Sequence, residues 1–521
     1  MASSNLVNLD AMLTRADFAI TGEDTAFFES VNTISLRDFT EGGMIGPALR
    51  KPDFQRETNH WSPTQVASLL DCFVNGDLIP SVILWKSTQH LFVIDGGHRL
   101  SVLKAWILDD YGDGPLSRSF FGDELSMQQR KAAQQTRKII NEKIGSWQHF
   151  QAKTKDAKLS ADDLRKRNTV ISRGLPIQWV NGDADKAEAS FFKINTQGTP
   201  LDAIEELLLK NRKKPIPIAA RAVIRAGNGN KYWSSFEYSK ASKVEELAKA
   251  MHQLLFDPEI KSPIKTLDLP LGGAKGIRAA LQILIDLLLT ANRDLSGNPK
   301  TLPLMDDDFT GESTVNILKQ GEKILSRITG NDKGSLGLHP AVYYYGPTGR
   351  HSGPMFMGTV ELIAKKIKNN DKEFFRKFTR CRGRLEDILV RHKDLIATIM
   401  QKHVSPKRTQ AYVNLLESLI EILDKNGKIN ESKLVQISGL EGKIVHGNAV
   451  SEGSKFSDDT KSQTFITTSL KNTLKCPICS GYLDPSKSSS YDHITPVREA
   501  GKGKAANCQI VHPYCNQSVK Q

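Results

Sequence analysis

Cys476-Pro477-Ile478-Cys479, with His512-Pro513-Tyr514-Cys515 further on, decides how the last part of this chain folds. Each stretch puts two metal-ligand side chains on one tight turn. Together they supply three sulfurs and an imidazole, a closed tetrahedral set suited to structural zinc. A segment of about 55 residues has too little apolar core to fold unaided, and a bound metal supplies the missing folding energy.

Between the two pairs lies Tyr491-Asp492-His493-Ile494-Thr495-Pro496, followed by the loop Gly501-Lys502-Gly503-Lys504 and then Asn507. Asn516 follows the last cysteine directly. In order and spacing this resembles the HNH endonuclease family, whose pattern is a CxxC knuckle, an Asp-His on the first strand, a middle Asn, and a second knuckle running into Cys-Asn. The resemblance implies a ββα-metal fold and phosphodiester hydrolysis on double-stranded DNA. It implies that His493 is the general base and that Asp492 and Asn516 bind a catalytic ion, Mg²⁺ or Mn²⁺. Asn507 would brace the loop that orients His493. Cys476, Cys479, His512 and Cys515 would hold a separate Zn²⁺ and do no chemistry. These types suit the reaction, because a neutral His can take a proton from water. Hard oxygen ligands suit a divalent ion that steadies charge on the phosphate. Two features depart from the pattern. His512 stands where many relatives have Cys, and the five residues after Asn516 allow only a short helix. Cys508 fits neither knuckle and is expected to be a small packed side chain.

Working back along the chain, residues 441–465 are rich in Gly, Ser, Asp and Lys and read as a linker. Residues 206–440 are mainly helical. Leu385, Ile388, Leu389, His392, Ile396 and Ile399 form one stripe at helical spacing, and Tyr412, Leu415, Leu416, Leu419 and Ile422 form another. Both are expected to be core. The irregular stretch Leu338 to Gly353, with Tyr343-Tyr344-Tyr345, could stack on bases or pack internally, and packing is the favoured reading. The glycine-rich loop Leu271 to Gly276 lacks P-loop spacing and reads as a turn.

Residues 1–205 mix strands and helices. Ser62-Pro63 opens a helix with Val66, Leu69, Leu70 and Phe73 on one face and Gly76 at its end. Two apolar runs, Ser81 to Trp85 and Leu91 to Ile94, lead to Asp95-Gly96-Gly97-His98-Arg99 and a further helix carrying Leu100, Leu103, Trp106 and Ile107. A carboxylate at a strand end, two glycines, helix N–H groups and an arginine make a site that favours phosphate. With Phe54-Gln55-Arg56, Trp61 and Phe191-Phe192-Lys193-Ile194-Asn195-Thr196-Gln197-Gly198-Thr199-Pro200-Leu201, this stretch is similar to the ParB/sulfiredoxin-like family with a DGQQR motif, the N-terminal part of GmrSD-like modification-dependent restriction proteins. Gly97 replaces the usual Gln. The resemblance implies binding or hydrolysis of a nucleoside triphosphate, ATP or GTP, which gates the nuclease and would make the chain an NTPase as well. Asp95 would act on a metal or water and Arg99 on phosphate, with Gly96, Gln55 and Arg56 nearby and His98 on the nucleotide or capping the helix. It also implies defence against foreign DNA.

The expected architecture is therefore α+β and multidomain: a ParB/sulfiredoxin-like domain (1–205), a helical domain (206–440), a linker (441–465) and a zinc-stabilised HNH domain (466–521). Lys+Arg exceeds Asp+Glu by 71 − 58 = 13 over 521 residues, which suits a polyanionic partner. Six cysteines in so long a chain are no disulfide framework. The most apolar stretch, Ala279 to Ala291, is shorter than the ~20 residues of a membrane span and reads as a buried helix. The first residues lack the basic start and apolar core of a signal peptide, so a cytoplasmic protein is expected. A homo-oligomer stays open. Two rivals stay open as well: a ParB-like DNA-binding regulator with a non-catalytic zinc module, and a homing or phage-type HNH nuclease without nucleotide control.

Overall fold

The computed structural model describes all residues except 1–5, 17–30, 53–54, 56–57, 60, 88, 123–124, 154–158, 198–202, 229–230, 275–276, 294–301, 443–455 and 520–521. The chain forms two compact units, Met1–Arg212 with Asn228–Tyr232, and Lys213–Gly227 with Trp233–Gln521.

The first unit is built on a mixed sheet. Its strands are β1 (Arg15–Ala16), β2 (Thr33–Ser35), β3 (Leu49–Pro52), β4 (Val82–Lys86), β5 (Leu91–Asp95) and β6 (Gly174–Val180), in the order β1-β3-β5-β4-β6-β2. β4 runs antiparallel to β5 and parallel to β6. Side chains alternate across a strand, and both faces are covered. Val82, Leu84, Leu91 and Val93 join a cluster with Val66, Leu70 and Phe73 of the Pro63–Asn75 helix and Leu100 and Leu103 of the Gly97–Leu108 helix. Trp85, Phe92 and Ile94 meet Ala187 and Phe191 of the Ala184–Gln197 helix on the other face. The Pro63–Asn75 helix starts and stops as its sequence dictates. Ser62 and Gln65 form a reciprocal capping box, and Gly76 ends the helix at φ +86°. Phe191 is buried, but residues 198–202 of the Phe191 to Leu201 stretch, like Phe54 and Arg56, lie outside the described residues.

The second unit is a helical assembly. Tyr238–Phe256 packs on Glu312–Ile328, Pro215–Ile224 on Ile277–Ala291, Gly353–Lys368 on Arg408–Asp424, and Lys372–Arg391 also on Arg408–Asp424. The Ile277–Ala291 helix buries Leu281, Leu284, Ile285, Leu287 and Leu288, and no helix among the described residues is long and apolar enough to cross a membrane. Both leucine stripes are core, though the first is divided at His392 into helices Lys372–Arg391 and Lys393–Lys402. Tyr343, Tyr344 and Tyr345 are all at most 1% exposed, so the aromatic stretch packs inward and offers no face for base stacking. Tyr412 donates from its hydroxyl to the Tyr343 carbonyl at 3.0 Å, and the Tyr345 hydroxyl donates to the Pro270 carbonyl at 2.7 Å.

Within the stretch read as a linker, residues 443–455 lie outside the described part, and helix Asp458–Lys471 begins before its end. The last strands, β7 (Ser490–His493) and β8 (Cys508–Val511), form an antiparallel pair, and Cys515–Val519 makes a five-residue π-turn. This C-terminal part is set into the helical unit. The Tyr514 N–H donates to the Ser335 carbonyl at 2.9 Å, Ser488 Oγ donates to the Gly330 carbonyl at 2.7 Å, and Lys487 Nζ donates to the Asp257 and Leu269 carbonyls, both at 2.8 Å.

Candidate metal centre and active site

Cys476, Cys479, His512 and Cys515 are all buried, and their ligand atoms lie within 4.8 Å of one another. Metal–ligand bonds of about 2.0–2.3 Å in a tetrahedron give ligand–ligand edges of roughly 3.3–3.8 Å. Cys479 Sγ and His512 Nδ1 stand 3.3 Å apart, close to that edge. His512 Nε2 is 3.0 Å from the Tyr482 carbonyl, so Nε2 carries the proton and Nδ1 keeps its lone pair for a metal. Burial, reinforced by Arg382, holds the imidazole below its ordinary pKa and therefore neutral. Donor set, spacing and tautomer all fit zinc.

The turn carrying Cys476 and Cys479 rests on the Lys372–Arg391 helix. The Gly383 N–H donates to the Cys479 carbonyl at 3.1 Å. Glu386, fully buried, accepts the Tyr482 N–H at 2.5 Å and pairs with Arg382 at 2.7 Å. Arg382 donates onward to the Leu336 and Gly337 carbonyls at 2.5 and 2.9 Å. Sequence reasoning did not find this pair, since an Arg and a Glu four residues apart on a helix usually mark a solvated face.

Asp492 and His493 end β7, and Asn507 immediately precedes β8. The strand register sets Asp492 opposite Gln509 and His493 opposite Cys508. Gln509 donates from Nε2 to Asp492 Oδ2 at 2.8 Å. It was also missed, and only the pairing of Tyr491-Asp492-His493 with Cys508-Gln509-Ile510 would have pointed to it. Asn507 fastens the loop after His493: Oδ1 accepts the Thr495 N–H at 2.7 Å, while Nδ2 donates to the Thr495 and Lys502 carbonyls. Asn516 is drawn to the same strand, with Nδ2 donating to Ser490 Oγ at 2.7 Å and the Tyr491 carbonyl at 3.1 Å. Those bonds use its donors and leave its carbonyl oxygen as the ligand-type atom. Asp492, His493 and Asn516 are thus gathered on one strand–turn junction. Cys508 is exposed and not packed, because it opens β8 at the solvent edge.

The N-terminal loop has its own geometry. Gly96 at φ +94° turns the chain out of β5 into the Gly97–Leu108 helix. Arg99 does not face open space: it pairs with Asp95 Oδ2 at 2.6 Å and donates to the Ser81 carbonyl at 3.0 Å. His98 stacks on Trp61, ring centroids 5.3 Å apart. Gln55 is buried at 8% exposure, and its Nε2 donates to the Val93 and Ile94 carbonyls. Its Oε1 has no hydrogen-bond partner among the described residues. A Cβ at Gly97 would stand 3.3 Å from that oxygen, so the glycine makes room for Gln55. Beneath it lies an unforeseen buried charge cluster. Asp10 accepts both Arg15 (2.6 and 2.9 Å) and Lys51 (2.8 Å), and Arg15 also reaches the Gln55 carbonyl at 3.3 Å. Lys51 stands 41 residues from Asp10, and Gln55 40 residues from Arg15, so no local motif joins them.

Residues 36–212 match the family model described as GmrSD restriction endonuclease, N-terminal domain, and residues 476–521 match the HNH endonuclease model. Comparison with curated proteins and with solved structures gave no match.

Proposed function

We propose that the chain is a metal-dependent HNH DNA endonuclease of restriction type, gated by an N-terminal nucleotide-binding unit and acting on foreign DNA. The gathering of Asp492, His493 and Asn516 beside a preformed Cys3His site carries the nuclease reading, and the two family matches support it. Cys476, Cys479, His512 and Cys515 would hold zinc and fix the strand–turn junction. Asp492 and the Asn516 carbonyl oxygen would hold Mg²⁺ or Mn²⁺, which when bound would stabilise charge on the phosphate and leaving oxygen. His493 would take the proton from the attacking water. Gln509 would orient the Asp492 carboxylate, and Asn507 would hold the loop behind His493. Mg²⁺-dependent conversion of supercoiled plasmid to nicked or linear form tests the reading. A protein that binds zinc and plasmid but never cuts would instead be a DNA-binding regulator.

Gating rests on the loop from Asp95 to Arg99, and the ParB/sulfiredoxin-like kinship belongs to the same proposal. The unpartnered, buried Gln55 Oε1 favours a ligand there. Helix N–H groups and Arg99 suit its phosphates. Because Asp95 neutralises Arg99 at 2.6 Å, the two variants should differ. Arg99→Ala should weaken ATP or GTP binding by about tenfold or more, the worth of a charge-assisted hydrogen bond. Asp95→Ala should keep binding, since it frees the guanidinium, and lose hydrolysis. Calorimetry with each nucleotide, then plasmid cleavage with and without it, checks both. If neither nucleotide binds and cleavage ignores both, the loop is a structural turn.

A further inference from the structure

Beside the zinc-site turn runs a cleft of about 610 Å³. Its walls carry Arg327, Lys372, Arg376 and Arg380, and among the described residues no carboxylate lines it. Its far edge is the zinc-site turn at Ile478–Ser480 and the C-terminal turn at Ser518 and Val519. That C-terminal turn, Cys515–Val519, also carries Asn516, which is tied to β7. The cleft therefore reaches to within two residues of a side chain of the proposed active site.

The cations are unevenly compensated. Arg380 is paired with Asp424 at 3.0 Å, and Arg376 meets Glu373 only at 3.8 Å with its side chain 69% exposed. Lys372 has no ion-pair partner among the described residues. Arg327 is held in place by aromatic faces, 4.3 Å over Phe375 and 4.8 Å over Tyr514, and by a bond from its guanidinium to the Gly334 carbonyl. It has no carboxylate to neutralise it among the described residues, and its buried Nε has no partner. Holding a guanidinium rigidly on two rings without a counter-charge suits an anion supplied from outside. Lys372, Arg376 and Arg380 follow one another at i, i+4 and i+8 on one helix, a row of about 12 Å. Phosphates of one DNA strand lie about 3.4 Å apart along the duplex axis, so a row of about 12 Å laid along that axis spans three to four phosphate steps.

We propose that this cleft is a phosphate track that seats the sugar–phosphate backbone of duplex DNA alongside the HNH strand. It rests on the endonuclease reading and adds to it four cations from the helical unit, which lie outside residues 476–521. The contacts are to backbone, so they position the duplex without reading sequence.

The test uses the full-length protein and the double variant Lys372→Ala/Arg376→Ala, which leaves the zinc ligands and the Asp492-His493 strand untouched. Binding of a labelled duplex of about 30 base pairs is followed by fluorescence anisotropy without added divalent ion, across a salt series. Plasmid cleavage is measured in parallel with Mg²⁺. The double variant should bind about tenfold more weakly, and the slope of log K against log salt should flatten by about two, roughly one per lost phosphate contact. The loss should be alike for unrelated sequences and should appear in KM with little change in kcat. Zinc content should stay at the wild-type value. An unchanged affinity and salt slope in the variant, with a wild type that binds and cuts, overturns the track alone. A wild type that neither binds nor cuts DNA overturns the nuclease reading and the track with it.

Discussion

His493→Ala should lower plasmid cleavage by about 10²- to 10⁴-fold, the range a positioned general base contributes, while zinc content and DNA binding stay at wild-type values. The separation follows from how the residue is held. His493 sits half-buried at the end of β7, and none of the four clustered zinc-type ligands is His493. The backbone after it is fixed by other groups: the Ile494 N–H donates to the Asn507 carbonyl at 3.0 Å, and the Thr495 N–H to Asn507 Oδ1 at 2.7 Å. Removing the imidazole leaves both bonds intact. Asn507→Ala removes the second and two donor bonds besides, so it should misplace His493 and cost cleavage without removing the base. Single-turnover cleavage with metal analysis on the same preparation distinguishes these effects. Cutting at the wild-type rate by His493→Ala would place the active site elsewhere.

The parts of this molecule that were legible in sequence are those set by local rules. Ser62-Pro63 and Gly76 bound a helix because capping and left-handed backbone are decided within a few residues. The strands at 82–86 and 91–95 and the turn at Gly96 followed in the same way. Cys476, Cys479, His512 and Cys515 were legible as one cluster because a tetrahedral metal tolerates few donor sets and spacings. What escaped notice depends on partners distant in the chain. Arg382 and Glu386 carry no signal of their own in sequence, yet they lie against the Cys476–Cys479 turn, with Glu386 accepting the Tyr482 N–H. Asp10, Arg15 and Lys51 become a cluster only when β1 and β3 align side by side. Cys508 was expected to be packed because free cysteines usually are, but its strand ends at solvent. Arg99 was read as facing a phosphate, and the structure shows a carboxylate four residues earlier already on it.

Cys476→Ser should lose the zinc and lower the melting temperature of the whole second unit, Lys213–Gly227 with Trp233–Gln521, not only of its last residues. A free-standing module would unfold alone, but this one shares its buried polar groups with the helices. Without the metal, the turn at 476–483 has no fixed shape. Glu386 then loses the Tyr482 N–H, Gly383 loses the Cys479 carbonyl, and Arg382 is left with its carboxylate at a loosened surface. Both residues are at most 1% exposed, and a buried polar group that loses its hydrogen-bond partner costs about 1–3 kcal/mol, more when it is charged. A compact unit has only about 5–15 kcal/mol to lose. At roughly 2–4 °C per kcal/mol for a unit of this size, the transition should fall by about 10 °C. Cys508→Ser removes an exposed thiol that belongs to no ligand set and should change neither zinc nor melting. Calorimetry of wild type, both variants and chelator-treated wild type, with zinc measured in each, gives the answer. If Cys476→Ser loses zinc but the helical transition stays at the wild-type temperature, while protease trims only the last fifty or so residues, the contacts through Arg382 and Glu386 carry no stability. The C-terminal part would then be an appendage.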